Sequence, residues 1–329
     1  MVNLALWLED RGELAAAGRL YRQAATADPP AAQHEARAAA MTYLGDLLVD
    51  QNRLEEAEPW YRRAAELDVV DATVGLADLL ERRQEFDEAE RHYRRAADQG
   101  DPGGMSGLAW LLYLERREHA EAEHWALRAA VAGSTSAMVF LGLIHGESDN
   151  LDEAERWFEE AAEAGNPRGR YHLGLSLLER DREEEAERWL ARAAAEDEPD
   201  AMLVLGDLLE ERGKDAAAEE WYYRAADAGH TPAMVSFGRF LHSHYRLGEA
   251  ERWWRRAAQA GDLDAAVHLA RRLKTQGLQE DAAAWLRQAA DRGSTRAMIG
   301  LACLLEEQDR HNDAEHWFRR ARTTGEAHS

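Results

Sequence analysis

The nine-residue pattern Ala-Glu-x-Trp-x-x-x-Ala-Ala recurs along the chain, and this recurrence limits what the chain can fold into more than any other feature. Its first alanine falls at Ala57, Ala89, Ala122, Ala154, Ala186, Ala218, Ala250, Ala282 and Ala314, with steps of 32 residues and a single step of 33. A weaker copy starts at Ala17, 40 residues before Ala57. A second series of small residues runs in step, 12 or 13 residues ahead: Ala5, Gly45, Ala77, Ala109, Gly142, Gly174, Gly206, Gly238, Ala270 and Ala302. Such a chain builds no single closed core. Each unit is one supersecondary element whose apolar face is covered by its neighbours.

Each unit reads as two helices. Met202, Leu205, Gly206 and Leu209 share one face of a first helix, and Ala218, Trp221, Tyr222 and Ala225 share one face of a second. Gly213 in the intervening link suits a left-handed helix end. Gly100, Gly133, Gly165, Gly229, Gly261 and Gly293 follow the second helix and stop it, with Pro102, Pro167, Pro199 and Pro232 close behind, near the next helix start. Gly206 against Trp221 and Tyr222 sets small against large, as dense packing requires. Glu58/Arg62, Glu90/Arg94, Glu251/Arg255 and Glu315/Arg319 are i, i+4 pairs on a solvated face. The expected architecture is an all-α solenoid and a single domain over 1–329. Its ten helix–turn–helix repeats lie near 1–30, 36–68, 69–100, 101–133, 134–165, 166–197, 198–229, 230–261, 262–293 and 294–325.

Composition narrows the function. A net charge of −23 opposes a duplex nucleic acid or an anionic membrane as partner. No run of 18 apolar residues and no leader pattern is present. A single cysteine, Cys303, fits a reducing cytoplasm. Arginine outnumbers lysine 38 to 2, as a GC-rich and so bacterial coding genome would produce. No phosphate loop, metal-ligand spacing or nucleophile grouping stands out. We expect no cofactor, no metal and no catalysis.

The small-anchor offset, with Ala57, Tyr61 and Ala64, resembles the tetratricopeptide repeat superfamily. The tryptophan–aromatic pair, the Ala-Ala ending and the lead-in Ala228-Gly229-His230-Thr231-Pro232-Ala233-Met234 are more similar to its Sel1-like subclass. The link between the helices lacks the longer glycine-rich insertion common in that subclass, so the chain resembles a hybrid. The resemblance implies a right-handed superhelix with first helices lining a concave face, and a scaffold or adaptor that holds a peptide or a partner's helix there. An alternative is the sensor arm of a larger regulator, closing on a small ligand or signalling peptide.

Binding residues are sought where the repeats differ. The position after the small anchor reads Asp46, Asp78, Trp110, Leu143, Leu175, Asp207, Arg239, Arg271 and Cys303. Three residues on come Val49, Glu81, Tyr113, Gly146, Leu178, Glu210, His242, Lys274 and Glu306. The groove thus runs from acidic through apolar to basic. Trp110, Tyr113, Leu143, Tyr171, Leu175 and Leu178 are candidates for an apolar anchor of a partner protein or peptide. Arg239, His242, Arg271, Arg272 and Lys274 are candidates for its acidic portion, arginine suiting carboxylates through its planar fork. The alternative is that neighbouring repeats cover the apolar residues and glutamates neutralise the arginines. The tryptophan stripe from Trp60 to Trp317 and the methionines at one first-helix register, Met1 in phase with them, are read as core.

Three irregularities complete the reading. The fourth repeat carries an extra residue near Glu118-His119, and Ala126 stands where an aromatic is usual. The first join is eight residues longer than the rest, with Pro29-Pro30 ending a helix and Ala31 to Ala40 lengthening the next. Leu4, Leu6, Trp7 and Leu8 at one end, and Trp317 and Phe318 at the other, point to self-association through the ends or to a longer protein.

Overall fold

The computed structural model describes residues 1–27 and 34–326. These form two compact units, 1–169 and 170–329. Unit 1 holds α1 (Val2–Asp10), α2 (Leu14–Thr26), α3 (His34–Asp50), α4 (Leu54–Ala65), α5 (Val70–Arg82), α6 (Phe86–Asp98), α7 (Pro102–Leu111), α8 (His119–Val131), α9 (Thr135–Glu147) and α10 (Leu151–Glu163). The boundary falls inside α11 (Pro167–Glu179). Unit 2 continues with α12 (Glu183–Ala195), α13 (Pro199–Glu211), α14 (Asp215–Asp227), α15 (Thr231–Ser243), α16 (Leu247–Gln259), α17 (Leu263–Thr275), α18 (Gln279–Asp291), α19 (Thr295–Glu306) and α20 (His311–Glu326). No strand occurs among the described residues.

The fold is the expected all-α solenoid, each repeat an odd-numbered helix followed by an even one. Its turns are local. Every link inside a repeat has one residue in the left-handed region, spaced as the sequence repeats: Gly12, Asn52, Gln84, Arg117, Asp149, Asp181, Gly213, Tyr245, Gly277 and Asp309. Between repeats the same role falls to Gly100, Gly133, Gly165, Gly229, Gly261 and Gly293, with Asp68 and Asp197 where glycine is missing. Pro29, Pro30 and Ala31 lie outside the described residues, while α3, at 17 residues, is longer than its counterparts.

Within each unit, helices pack on their sequence neighbours, and several odd helices also touch the next odd helix, α3 with α5 and α5 with α7 in unit 1, α13 with α15 and α17 with α19 in unit 2. The odd helices therefore form a close inner layer. Small anchors make this possible. A Cβ at Gly45 would lie 2.5 Å from the Tyr61 ring, and one at Gly206 would lie 2.8 Å from Tyr222. Met41, Met105, Met202, Met234 and Met298 are buried in the same layer, whereas Met1 is exposed. The α1 side chains Leu4 and Trp7 are also exposed, and Phe318 on α20 is partly so.

The tryptophan stripe is core on one face only. Trp125 and Trp157 are buried, but Trp60, Trp189, Trp221, Trp253, Trp285 and Trp317 are half-buried. An arginine three residues on lies over the outer ring face, at 4.7 Å for Arg192 on Trp189 and for Arg224 on Trp221, and at 5.3 Å for Arg256 on Trp253. This is cation–π cover supplied by the adjacent helical turn.

The motif glutamate joins repeats as well as pairing within its helix. The i, i+4 pairs form as expected, at 2.8 Å for Glu58–Arg62 and 3.0 Å for Glu90–Arg94. The same glutamates also meet a side chain at or just past the end of the next repeat's first helix. These contacts are Glu58 with Arg83, Glu90 with Arg116, Glu187 with Arg212, Glu219 with Arg246, and Glu251 with Gln276. In the fourth repeat the partner is His145, 4.0 Å from Glu123. The extra residue of that repeat lies earlier than expected. It is absorbed as a π-helical turn at Leu112–Arg116 that continues α7 and closes through Glu118 N–H to the Leu112 carbonyl at 3.0 Å.

Candidate functional site

The inner layer carries two kinds of repeat, set by the even-helix residue that faces the small anchor. Where it is tyrosine, the anchor is followed by a carboxylate side chain or has one four residues on. Tyr61 donates to Asp46 at 2.6 Å. Tyr93 donates to Asp78 at 2.5 Å and reaches Glu81 at 2.7 Å. Tyr222 donates to Asp207 at 2.6 Å and reaches Glu210 at 2.8 Å. Tyr21 donates to Glu9 at 2.6 Å. Burial pushes the Asp46, Asp78, Glu81 and Asp207 carboxyls above their ordinary range, against the pull of the phenol hydrogen bonds. The tyrosines are pushed up in turn, by burial first and by the carboxylates they bond. The acidic end of the groove is thus committed to internal hydrogen bonds.

Repeats four to six lack the tyrosine, with Ala126, Phe158 and Leu190 in its place, and so do repeats eight to ten, which lie within unit 2. Trp254 replaces the tyrosine and has no hydroxyl to offer a carboxylate, and Arg239 replaces the aspartate. Its indole fills the space left by Gly238, where a Cβ would come within 2.3 Å of Nε1. Nε1–H donates to the Val235 carbonyl at 3.3 Å. His268 stacks on the buried Trp254 ring at 5.1 Å and 18°, and His242 leans on it at 5.6 Å. Around this floor lies a pocket of about 370 Å³ lined by Arg239, His242, Trp254, His268, Arg271 and Arg272, among others.

The pocket is cationic. Arg239 is exposed and donates only to Ser236, at 3.0 Å. Arg271 is exposed, and among the described residues neither it nor Arg239 forms an ion pair. Arg272 is half-buried; its Nε lies 3.8 Å from Glu251 and makes no hydrogen bond, while Nη1 donates to the Thr275 hydroxyl at 3.3 Å. Burial, and then Arg271, hold His268 below its usual pKa; Arg239 and Arg296 add to this and Asp264 opposes it.

A second pocket of about 280 Å³ adjoins the first and shares Arg271. Here Leu286 stands in the tyrosine position, and Val267, Ile299, Cys303 and Leu304 line an apolar surface. Ile299 and Cys303 are exposed. Lys274 belongs to this pocket and is paired with Glu307 at 2.6 Å.

Of the sequence candidates, Arg239, His242, Arg271 and Arg272 therefore come together, with Lys274 next door. The apolar candidates are used differently. In unit 1, Trp110 packs edge-on against Phe140 at 4.6 Å, Tyr113 meets the same ring at 5.5 Å and donates to Glu147, and Leu143 is half-buried. In unit 2, Tyr171, Leu175 and Leu178 are half-buried on α11. Trp254, His268, Leu286 and Ile299 were not expected at the site. The available signal was the joint replacement of tyrosine by tryptophan and aspartate by arginine within one repeat. Among the described residues no three His, Cys, Asp or Glu side chains converge to hold a metal, and no helix is long and apolar enough to cross a membrane.

A stack of helix pairs whose variable positions line one inner layer defines a repeat-solenoid protein. Tetratricopeptide repeat models match residues 37–67, 74–137, 141–201 and 191–231, and the Sel1 repeat model matches 243–262 and 274–294. The chain belongs to the tetratricopeptide repeat superfamily, with Sel1-type repeats in its C-terminal third. Proteins of these families generally mediate protein–protein interactions. A search of curated proteins finds no match. Among solved structures, the protective antigen c5321 of uropathogenic Escherichia coli, displaying an SLR fold, is 20% identical with a TM-score of 0.57, over 98% of this chain and 79% of that one. A Sel1 repeat protein from Oxalobacter formigenes is 26% identical with a TM-score of 0.55, over 87% of this chain and 89% of that one. The human IFIT1 dimer with PPP-AAAA is 15% identical with a TM-score of 0.55, over 98% of this chain and 82% of that one. The first and third of these show the fold alone.

Proposed function

We propose that this chain is a non-catalytic adaptor that holds an acidic segment of a partner protein on the inner layer of unit 2. Arg239, His242, Arg271 and Arg272 supply the cationic contacts. The observation that carries this reading is the pair of exposed guanidinium groups, Arg239 and Arg271, without ion pairs in a chain of net charge −23. Elsewhere in the chain, arginines are widely paired with acids of the same or the next repeat. Leaving two like charges side by side costs stability that a bound carboxylate recovers, and arginine over an aromatic floor is a frequent energetic centre of protein interfaces. Tyr171, Leu175 and Leu178 on α11 are proposed as apolar contacts of unit 2, and Trp110, Tyr113 and Leu143 as a separate apolar contact surface of unit 1. A phosphodiester chain is disfavoured by the overall charge.

The test is fluorescence polarisation with a fluorescein-labelled peptide rich in glutamate, at low and moderate salt. Binding should weaken with salt and should be lost, with its salt dependence, in the Arg239→Glu/Arg271→Glu protein. Equal affinity of the two proteins would overturn the reading.

A further inference from the structure

We infer that the two adjoining pockets of unit 2 read one partner motif: an acidic side chain and a branched aliphatic side chain separated by two residues, in polyproline II conformation across α15, α17 and α19. This rests on the reading of the cationic pocket and specifies what lies beside it. Arg239 and His242 on α15, with His268, Arg271 and Arg272 on α17, place the cationic pocket between those two helices. Val267, Ala270 and Arg271 on α17, with Ile299, Gly300 and Cys303 on α19, place the apolar pocket in the next groove. The apolar pocket exists because Leu286 is shorter than the tyrosine found in other repeats, and because Gly300 adds no side chain opposite it. One wall therefore offers charge, the next offers an apolar surface edged by Lys274 and Arg296, each already paired with an acid, and Arg271 stands between them.

Spacing excludes a β-strand and admits a polyproline II segment. Arg271 lines both pockets, α17 and α19 are in direct contact, and helices in contact lie about 8–10 Å apart, so the pocket centres are separated by roughly one helix spacing. A polyproline II segment turns once in three residues with a rise of about 3.1 Å, which brings residues i and i+3 to the same side about 9 Å apart. A β-strand presents residues i and i+2 at about 7 Å and i and i+4 at about 13 Å, which miss the spacing on either side. The wall also favours a backbone that asks nothing of it. The inner helices satisfy their own amides and offer side chains only, and a polyproline II backbone keeps its amides in water.

The experiment uses fluorescein-labelled, C-terminally amidated peptides containing Glu-Pro-Pro-Leu, with one-proline and three-proline spacers, a Glu→Gln form and a Leu→Ala form as comparisons. A helical peptide with Glu and Leu seven residues apart gives a further comparison. Cys303 is the single cysteine and is exposed in the apolar pocket, so its alkylation by iodoacetamide reports occupancy there. The two-proline peptide should bind about tenfold tighter than the other spacers, the Leu→Ala form and the helical form, a scale set by burial of one aliphatic side chain. It should also slow Cys303 alkylation at saturation. In Cys303→Trp protein, with its helical circular dichroism unchanged, the gain from leucine should vanish while the weaker glutamate-dependent binding persists. Affinity independent of spacer and leucine, or undiminished Cys303 alkylation at saturation, would overturn the two-pocket motif and leave the cationic pocket standing. Tightest binding by the helical peptide would overturn the polyproline II conformation. No binding by any glutamate peptide would overturn both readings.

Discussion

At the scale of single residues, the tyrosine–carboxylate pairs of the inner layer are the most exacting contacts. Tyr222→Phe removes the hydroxyl that serves Asp207 and Glu210. It should cost about 1–3 kcal/mol in urea unfolding at pH 7, the usual loss when a largely buried polar group loses its partner. The penalty should shrink on acidification. Burial raises the Asp207 carboxyl in the folded chain, so its contribution to stability is present below the unfolded value and is lost as pH rises through the folded one. Without the phenol the charged form is poorer still, so wild type and variant should converge toward pH 4. A widening gap there would contradict the assignment. Tyr245 offers the opposite case, an exposed aromatic at φ 62 in a link where other repeats use glycine. Tyr245→Gly should raise stability by about 0.5–1 kcal/mol, since an L-residue is strained there and the ring is 89% exposed.

At the scale of elements, helix pairs were readable from small anchors and from period, but the joints between them were not. The i, i+4 glutamate–arginine pairs could be read from spacing. That the same glutamates reach across to the next repeat could not, because the partner lies some 25 residues away and only packing brings it near. Glu187→Gln severs such a joint, with Arg212 and Glu187 each about one-quarter exposed. Stability should fall by about 0.5–1 kcal/mol at low salt, and the difference should fade in about 1 M salt, as solvent-accessible pairs do. The extra residue of the fourth repeat was visible as a 33-residue step, but its place was not. A helix can widen one turn more cheaply than a tight left-handed link can lengthen, so the insertion sits at Leu112–Arg116, inside the helix.

At the scale of the whole molecule, the substantial helix contacts among the described residues run between near neighbours in sequence, so stability is built locally along the chain. Gly238→Ala places a methyl 2.3 Å from the Trp254 indole. Overpacking of this kind costs about 1–3 kcal/mol or more. Hydrogen exchange should show the loss in α15 to α17, while residues 1–169 keep their protection. Global loss of protection would mean that the chain unfolds as one cooperative body. The same variant should also weaken binding of acidic peptides, because the aromatic floor of the cationic pocket shifts with the indole.

Period, turn glycines and small anchors were enough to specify the helix pairs, because these are local rules repeated often enough to leave no competing pattern. The basic character near Arg239 and Arg271 was also visible, because arginine stands there in register with aspartate in other repeats. Which charges remain free was decided only by tertiary structure. Asp207 and Arg239 occupy equivalent positions, yet one is bound by a tyrosine from the following helix and the other shares a pocket with a tryptophan and forms no ion pair among the described residues. Whether a side chain is spent inside the protein or left for a partner depends on the residue packed against it from another helix, and no sequence spacing records that distance.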